Sequence, residues 1–468
     1  MQNEKKRRKG RGSLAATASP AVMKMDSKRG ALTGEENQAA GRKTPPPKSK
    51  KHKGEERVDE VDAADEVHEV KEEKGEKKKK KNTNELECMA YVYLLMEYFF
   101  EHNAMTFFTE NFYLQGNVLS ITEALIGHIL WVYDEEKKKL YGSRITELEA
   151  YNGIEDKASH AYNNKKTNRN ATMFAKGGVS YVYLCYGIHN CLNIVTNEEN
   201  IPDAILVRSL EPCYGMDTIL LNKFKMNSAE SPILATRSQD PSACAMKGEE
   251  GSDISTDGPD ESTQQQSKYF MAKEKLQRVE AVKAILKLVN MKKLTKACSG
   301  PGCVTKCLGI TRQDDKARFC SDLPHCSRQG KKRTSGGVAP VQGADAAQVG
   351  VHATSQGKKI NPDHISTCNI SHLQQSRFFI SVCPTTNQII NFYEALVAQK
   401  GGNHKFIGDV YSQYKMHLLE YFNCMKWDQE NMVVQRDKRV GVAYAEEAAL
   451  YDYRFLLKGH PSISVLPK

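Results

Sequence analysis

Three polar, low-complexity stretches divide this chain and leave material for one folded core rather than several. The first begins with Lys5-Lys6-Arg7-Arg8-Lys9, continues through Pro-, Gly-, Ser- and Lys-rich sequence to an acidic block from Glu55 to Glu73, and ends at Lys77 to Lys81. Ser228 to Ser267 is rich in Ser, Asp, Glu and Gln, and Cys326 to Lys359 in Gly, Ala, Gln and Ser. Such blocks bury too little apolar surface to offset the entropy of ordering the backbone. Residues 1–85 are therefore expected as a disordered charged tail. Residues 86–468 are expected as a single domain with disordered insertions near 224–268 and 326–360, read as inserted loops and not as linkers between cores.

The remaining sequence carries its densest β signal between Leu140 and Leu210. Val179-Ser180-Tyr181-Val182-Tyr183-Leu184 and Ala204-Ile205-Leu206-Val207 are rich in β-branched and aromatic residues, and short strands are expected again at Arg439 to Val442 and Tyr453 to Leu457. Leu276, Val279, Val282, Ile285, Leu286 and Val289 recur at helical spacing with Lys and Glu on the other face, which predicts one amphipathic helix packed on the core. Other helices read as few and short. The pattern predicts an α+β domain built on one mostly antiparallel curved sheet with peripheral helices.

A net charge of +10 favours an anionic partner, because Lys and Arg clusters attract phosphate through their field and through counterion release. No stretch reaches the roughly 18 to 20 apolar residues that span a bilayer, and Cys88 to Phe100 is interrupted by Glu97. Met1 to Gly12 is basic where a secretory signal needs an apolar region, so the 13 cysteines are expected as free thiols in a reducing compartment. The basic N-terminal clusters read equally as nuclear import or non-specific DNA contact and as a solvated tail.

Chemistry-bearing residues concentrate in the β-rich centre. In Arg144 to Tyr151 strand alternation places Glu147, Glu149 and Tyr151 on one face, so two carboxylates share a surface with an aromatic ring. Taken alone, that face reads as ordinary surface acids. Downstream stand Asp156, His160, Arg169, Asn170, Met173-Phe174, Gly177-Gly178, the tyrosines 181, 183 and 186, then Asn193 and Arg208. In order, Glu-Ala-Tyr (149–151), Glu-Asp-x-Ala-Ser-His (155–160), Arg-Asn-x-x-Met-Phe (169–174), Tyr-Val-Tyr-x-x-Tyr-Gly-x-x-x-Cys-x-Asn (181–193) and Leu-Val-Arg-x-Leu-Glu-Pro (206–212) resemble the alkyladenine (3-methyladenine) DNA glycosylase family. The resemblance runs from about Asn111 to Pro212, resumes from Cys298 to Leu323, and ends with Arg439 to Phe455, well under half of the chain.

The resemblance implies a monofunctional enzyme of base excision repair. It would flip alkylated purines (3-methyladenine and 7-methylguanine, with hypoxanthine and ethenoadenine the least secure) out of double-stranded DNA and hydrolyse the N-glycosidic bond, leaving an abasic site. Residue-by-residue matching implies Glu149 as general base, with Arg208 and the Val442 carbonyl holding the attacking water, and Arg208 lowering the carboxylate pKa. It implies Tyr186 as the side chain that fills the vacated stack, against the plainer reading of a core tyrosine. Tyr151, His160 and Tyr183 would line the base pocket, where each π-face attracts a cationic base by about 0.5 to 2 kcal/mol. Asn193 would crowd the exocyclic amino group of guanine, giving selectivity by clash, against the plainer reading of a buried Asn bonded to backbone.

Alternatives stand beside this reading. Glu147 is the second choice of base. His160 as a metal ligand finds no H-x-E plus C-x-x-C pattern, and Cys298, Cys303, Cys307, Cys320 and Cys326 lack paired spacing, so no metal and no cofactor are expected. A strand-cutting mechanism needs an amine nucleophile, and the motif region offers no equivalent lysine. A catalytically inactive damaged-DNA-binding module, a metal-dependent hydrolase and an RNA-binding platform of RRM type are the rival classes. The chain departs from the family pattern at Asn168 and Gly177, where proline is usual, at Ala171-Thr172 in place of Arg-Gly, and at Cys307 in place of alanine. A monomer acting in the nucleus is the further expectation, with organellar targeting the alternative.

Overall fold

A computed structural model of the chain describes residues 85–224, 273, 276–287, 291–319, 360–399, 404–427 and 432–467. The charged tail to residue 84 and most of both polar insertions, with Cys320 and Cys326, lie outside the described residues. Within them the β-rich centre forms an open α+β sheet whose strand pairs are all antiparallel. In chain order the strands are β1 (Ala104–Phe108), β2 (Ile129–Asp134), β3 (Lys139–Tyr151), β4 (Val179–Cys185), β5 (His189–Thr196), β6 (Asp203–Tyr214), β7 (Ile365–Asn369), β8 (Phe378–Ser381), β9 (Val434–Asp437) and β10 (Arg454–Leu457). They lie side by side as β4-β5-β6-β3-β2-β8-β1-β7, with β10 joining β3 to β9.

The long strand β3 positions everything else. One edge pairs with β6 along most of its length, while the other pairs first with β2 and then, past Ile145, with β10. Register shifts at Gly142/Ser143, Ile145/Glu147 and Glu147/Leu148 re-aim its second half, as bulges do where a side chain must be redirected. The residues beyond the bulges, Glu147 to Tyr151, are the acidic face singled out in the sequence.

The helices are more numerous and longer than the sequence pattern suggested. They are α1 (85–102), α2 (Glu110–Tyr113), α3 (Val118–Leu125), α4 (Met216–Phe224), α5 (276–287), α6 (Met291–Thr295), α7 (Pro301–Cys307), α8 (Thr386–Ala398) and α9 (Lys405–Cys424). In α9, Ile407, Val410, Tyr411, Tyr414, Leu418, Tyr421 and Phe422 form the buried stripe. Tyr411 stacks on Tyr393 of α8, and the Tyr393 hydroxyl donates to the Leu95 carbonyl of α1. Glu97 accepts the Gly215 amide at 2.9 Å, which accounts for an acid inside the apolar run of α1. The amphipathic helix read from Leu276 onward is α5, where Val279, Val282, Ile285 and Leu286 are buried, Leu276 is exposed and Val289 lies outside the described residues. None of the described helices is long and apolar enough to cross a membrane.

One expected strand is displaced. Arg439 to Val442 is not extended pairing sequence but a loop that follows β9, with Gly441 at φ +80°. Arg439 is buried there and donates to Asp156 with both terminal nitrogens, to the Ala150 carbonyl at 2.9 Å and to the Ala448 carbonyl at 3.0 Å. A guanidinium committed to those four acceptors requires its backbone to leave the sheet. Two small apolar clusters flank the end of β3 outside the main core: Ala161, Met173, Phe174, Tyr181, Val195 and Ala204 on one side, and Ala158, Val442, Ala445 and Ala448 on the other.

Candidate active site

Glu149 sits on β3 with no exposed surface. Its Oε1 accepts the Val440 amide at 2.7 Å and faces Arg208 NH1 at 3.3 Å, and its Oε2 accepts the Tyr151 hydroxyl at 3.0 Å. An ionised carboxylate offers about four lone-pair sites, so these contacts leave one acceptor position on Oε2. Burial pushes the Glu149 carboxyl above its usual range, against the opposing pull of Arg208, the Val440 amide and the Tyr151 hydroxyl. Arg208 does pull the carboxyl down, as expected, but the net shift is upward. The loss of hydration outweighs the adjacent positive charge.

Arg208, on β6, lies between both acids. Its Nε is 3.2 Å from Glu147 Oε1, and its NH2 donates to Ser464 at 3.2 Å. Burial acts to depress its pKa, but Glu149 and Glu147 outweigh it and keep the guanidinium charged. Glu147 is further engaged by Arg454 NH1 at 3.0 Å and the Ser464 amide at 2.6 Å. The two acids expected on one face do meet at a single arginine and each makes three contacts, yet they differ in their surroundings. Glu147 is held by two arginines and the Ser464 amide, whereas Glu149 bonds the cleft residue Tyr151, which favours Glu149 for work on a ligand.

Beside this centre opens a cleft of about 340 Å³, counting its mouth, lined among others by Tyr151, Ala158, His160, Tyr181, Tyr183, Asn193 and Tyr444. It follows the seam between the two small apolar clusters. The His160 ring meets Tyr183 edge-on at 4.7 Å, and His160 Nδ1 shares a hydrogen bond with the Tyr181 hydroxyl at 3.0 Å. Burial and then the nearby Arg169 push the His160 pKa down, so the imidazole is neutral near neutral pH. Asn170 holds the His160 loop, donating to the carbonyls of His160 and Lys165 at 2.8 Å each. Asn193 is buried and donates to the Tyr181 carbonyl at 3.0 Å while lining the cleft, so the backbone-bonded placement and the cleft placement are both met. The Val442 carbonyl accepts the Ala445 amide at 2.9 Å, which leaves one lone pair.

β4 and β5 form a hairpin whose turn is Cys185-Tyr186-Gly187-Ile188, closed by the Ile188 amide donating to Cys185 at 3.0 Å. Tyr186 and Gly187 have φ of +49° and +71°, both left-handed, in the three-residue connection between the paired Cys185 and His189. Gly187 meets that at no steric cost, whereas a tyrosine there is strained. Tyr186 is 90% exposed, with Leu184 and Ile188 exposed beside it, so it is not a core residue. Arg169 lies 5.5 Å over the Tyr183 ring at the base of the same hairpin.

Residues 111–239 match the family model for methylpurine-DNA glycosylase. This part of the chain resembles methylpurine-DNA glycosylases. Relatives named "Putative 3-methyladenine DNA glycosylase" include one from Chlamydia abortus, 42% identical over 114 residues, covering 24% of this chain and 59% of the relative. Others come from Clostridium novyi, 42% identical over 23% of this chain and 52% of the relative, and Desulfitobacterium hafniense, 45% identical over 23% and 52%. The chain spans about half the length of the curated relatives it matches.

The departures from the methylpurine-DNA glycosylase pattern have local explanations. Gly177 donates its amide to the Asn197 carbonyl at 2.9 Å, a bond proline cannot make, and a Cβ there would meet the Asn197 and Tyr113 carbonyls at 2.8 Å. Thr172 donates to Asp315 at 2.8 Å, and Cys307 donates to the Ala297 carbonyl at 3.3 Å. Nothing in the structure explains Asn168. The ten described cysteines are free thiols. Sequence reasoning missed Tyr181 and Tyr444 as cleft residues, the Asp156–Arg439 pair, and the Arg454 and Ser464 contacts to Glu147. Asp156 and Arg439 each fell in a motif, but their pairing spans 283 residues and leaves no periodic signal.

Proposed function

We propose that this chain is a monofunctional DNA glycosylase that hydrolyses the N-glycosidic bond of alkylated purines in duplex DNA. One arrangement carries the reading: a buried glutamate with a spare lone pair, bracketed by an arginine and a backbone amide, beside an aromatic cleft and an exposed tyrosine hairpin. Tyr186 enters the duplex and replaces the stacking area of the extruded nucleotide. The base enters the cleft among Tyr151, His160 and Tyr183, whose π-faces attract the positive charge that ring alkylation leaves on a purine. A neutral His160 adds no repulsion to that cation. Asn193 limits which purines fit.

Glu149 in its ionised form accepts a proton from water aimed at the anomeric carbon, and its charge stabilises the oxocarbenium-like state as the bond breaks. Arg208, with N–H donors left over, and the free lone pair of the Val442 carbonyl orient that water. Cationic 3-methyladenine and 7-methylguanine leave without acid help, so they are the favoured substrates over neutral hypoxanthine and ethenoadenine. The structure-based case for double-stranded DNA as partner rests on the exposed hairpin and on the net charge of +10. The test is a methylated duplex incubated with the protein in a chelator. Free methylated purine should appear with the strand uncut until the abasic site is cleaved chemically. Tight damage binding with no released base would leave a damaged-DNA-binding module, and release abolished by chelator would leave a metal-dependent hydrolase.

A further inference from the structure

The cleft has one rim residue that the proposed chemistry does not use, Tyr444, which is 64% exposed. An exposed aromatic ring is not fixed by packing. Tyr444 is instead fixed by its hydroxyl, which donates to the Ala158 carbonyl at 3.2 Å and so ties the 443–450 turn to the loop that carries His160. That turn is braced from several sides. Val442 opens it from a buried position, Arg439 binds the Ala448 carbonyl at 3.0 Å, Lys157 pairs with Glu446, and Glu446 holds φ +51° in a conformation that L-residues rarely adopt. Strain of this kind persists where the surroundings over-determine it.

We propose that Tyr444 is the specificity-determining residue of the cleft, its tethered ring setting the width open to an entering base. The proposal rests on the base-excision reading above. A compact cationic purine such as 3-methyladenine fits beside the ring and gains its π-face. A purine widened by a fused ring, such as ethenoadenine, requires the ring to move and the Ala158 bond to break.

The experiment measures single-turnover release of 3-methyladenine and of ethenoadenine from otherwise identical duplexes by wild type, Tyr444→Phe and Tyr444→Ala, with thermal denaturation of each protein alongside. Removing the ring should lower 3-methyladenine release and raise the ethenoadenine to 3-methyladenine ratio about tenfold or more, the scale of discrimination that pocket walls supply. Tyr444→Phe keeps the ring but loses the tether, so its ratio should rise by less. A role confined to bracing the turn would lower both rates together and leave the ratio unchanged, which overturns the proposal while the excision reading survives. Release of neither base by the wild type would overturn the excision reading, and this proposal with it.

Discussion

Glu149 and Glu147 show how two like residues on one strand come to differ. Both are fully buried and both touch Arg208, but Glu147 is held by a second arginine, Arg454, and by the Ser464 amide, whereas Glu149 bonds the cleft residue Tyr151. The sequence showed both acids and their shared face. It could not show which of them borders the cleft, because the groups around them come from the far end of the chain. Burial raises the Glu149 pKa, so the ionised form needed to accept a proton becomes populated only above the ordinary carboxylate range. Single-turnover excision should therefore climb with pH through one ionisation whose midpoint lies above about 4.3, the unperturbed value for Glu. A midpoint at or below that value would contradict the role. Linkage runs in the matching direction. A carboxyl with a raised folded-state pKa binds its proton more tightly in the native state, so the stability it contributes at low pH is lost as pH rises through the folded value.

At the scale of elements, the β4–β5 hairpin was legible and the helical layer was not. The alternating Val, Tyr and Leu residues marked β4, and the Tyr-Gly pair at its end is the turn. What the letters lacked was exposure: Tyr186 follows an aromatic-rich strand and could as well have closed the core. From Ala90 to Phe100 α1 is buried almost all round, so its letters carry no helical period, whereas the stripe of α9 is regular. The displayed tyrosine makes a prediction for the hairpin. Tyr186→Ala should slow excision from a fully paired duplex by about 10- to 100-fold, the worth of one lost stacking partner. The loss should shrink when the damaged base faces a mismatch, since extrusion then costs less. An equal loss on both duplexes would mean that the ring does not serve extrusion.

Across the whole molecule, the site is assembled from segments far apart in the chain. β3 and β6 supply Glu149 and Arg208, the hairpin supplies Tyr186, and the loop after β9 supplies the Val440 amide, Val442 and Tyr444. The family match ends at residue 239, yet Val440 and Tyr444 lie some two hundred residues further on. The Asp156–Arg439 pair clamps these segments together, with both side chains buried. Removing one partner of such a pair leaves an uncompensated charge, so Asp156→Asn should cost roughly 3 to 5 kcal/mol in denaturant unfolding and reduce excision with it. Unchanged stability would show that the clamp is dispensable. Periodicity and motif spacing make strands and local turns readable, but a pairing across 283 residues is set by the folded topology alone. For that reason Glu149 and Arg208 could be singled out from the sequence motifs, and the groups that hold them could not.

In the proposed reaction Glu149 activates water for cleavage of the glycosidic bond. The most direct measurement compares wild type with Glu149→Gln on a methylated duplex, recording base release and duplex binding in EDTA together with thermal unfolding. The variant should bind the damaged duplex as the wild type does and stay folded, because Glu147 still pairs with Arg208 and the amide keeps the shape and a hydrogen-bond acceptor. Its release of base should fall by roughly 10²- to 10⁴-fold, the range of general-base catalysis. Release at the wild-type rate by a folded, DNA-bound variant would contradict the account.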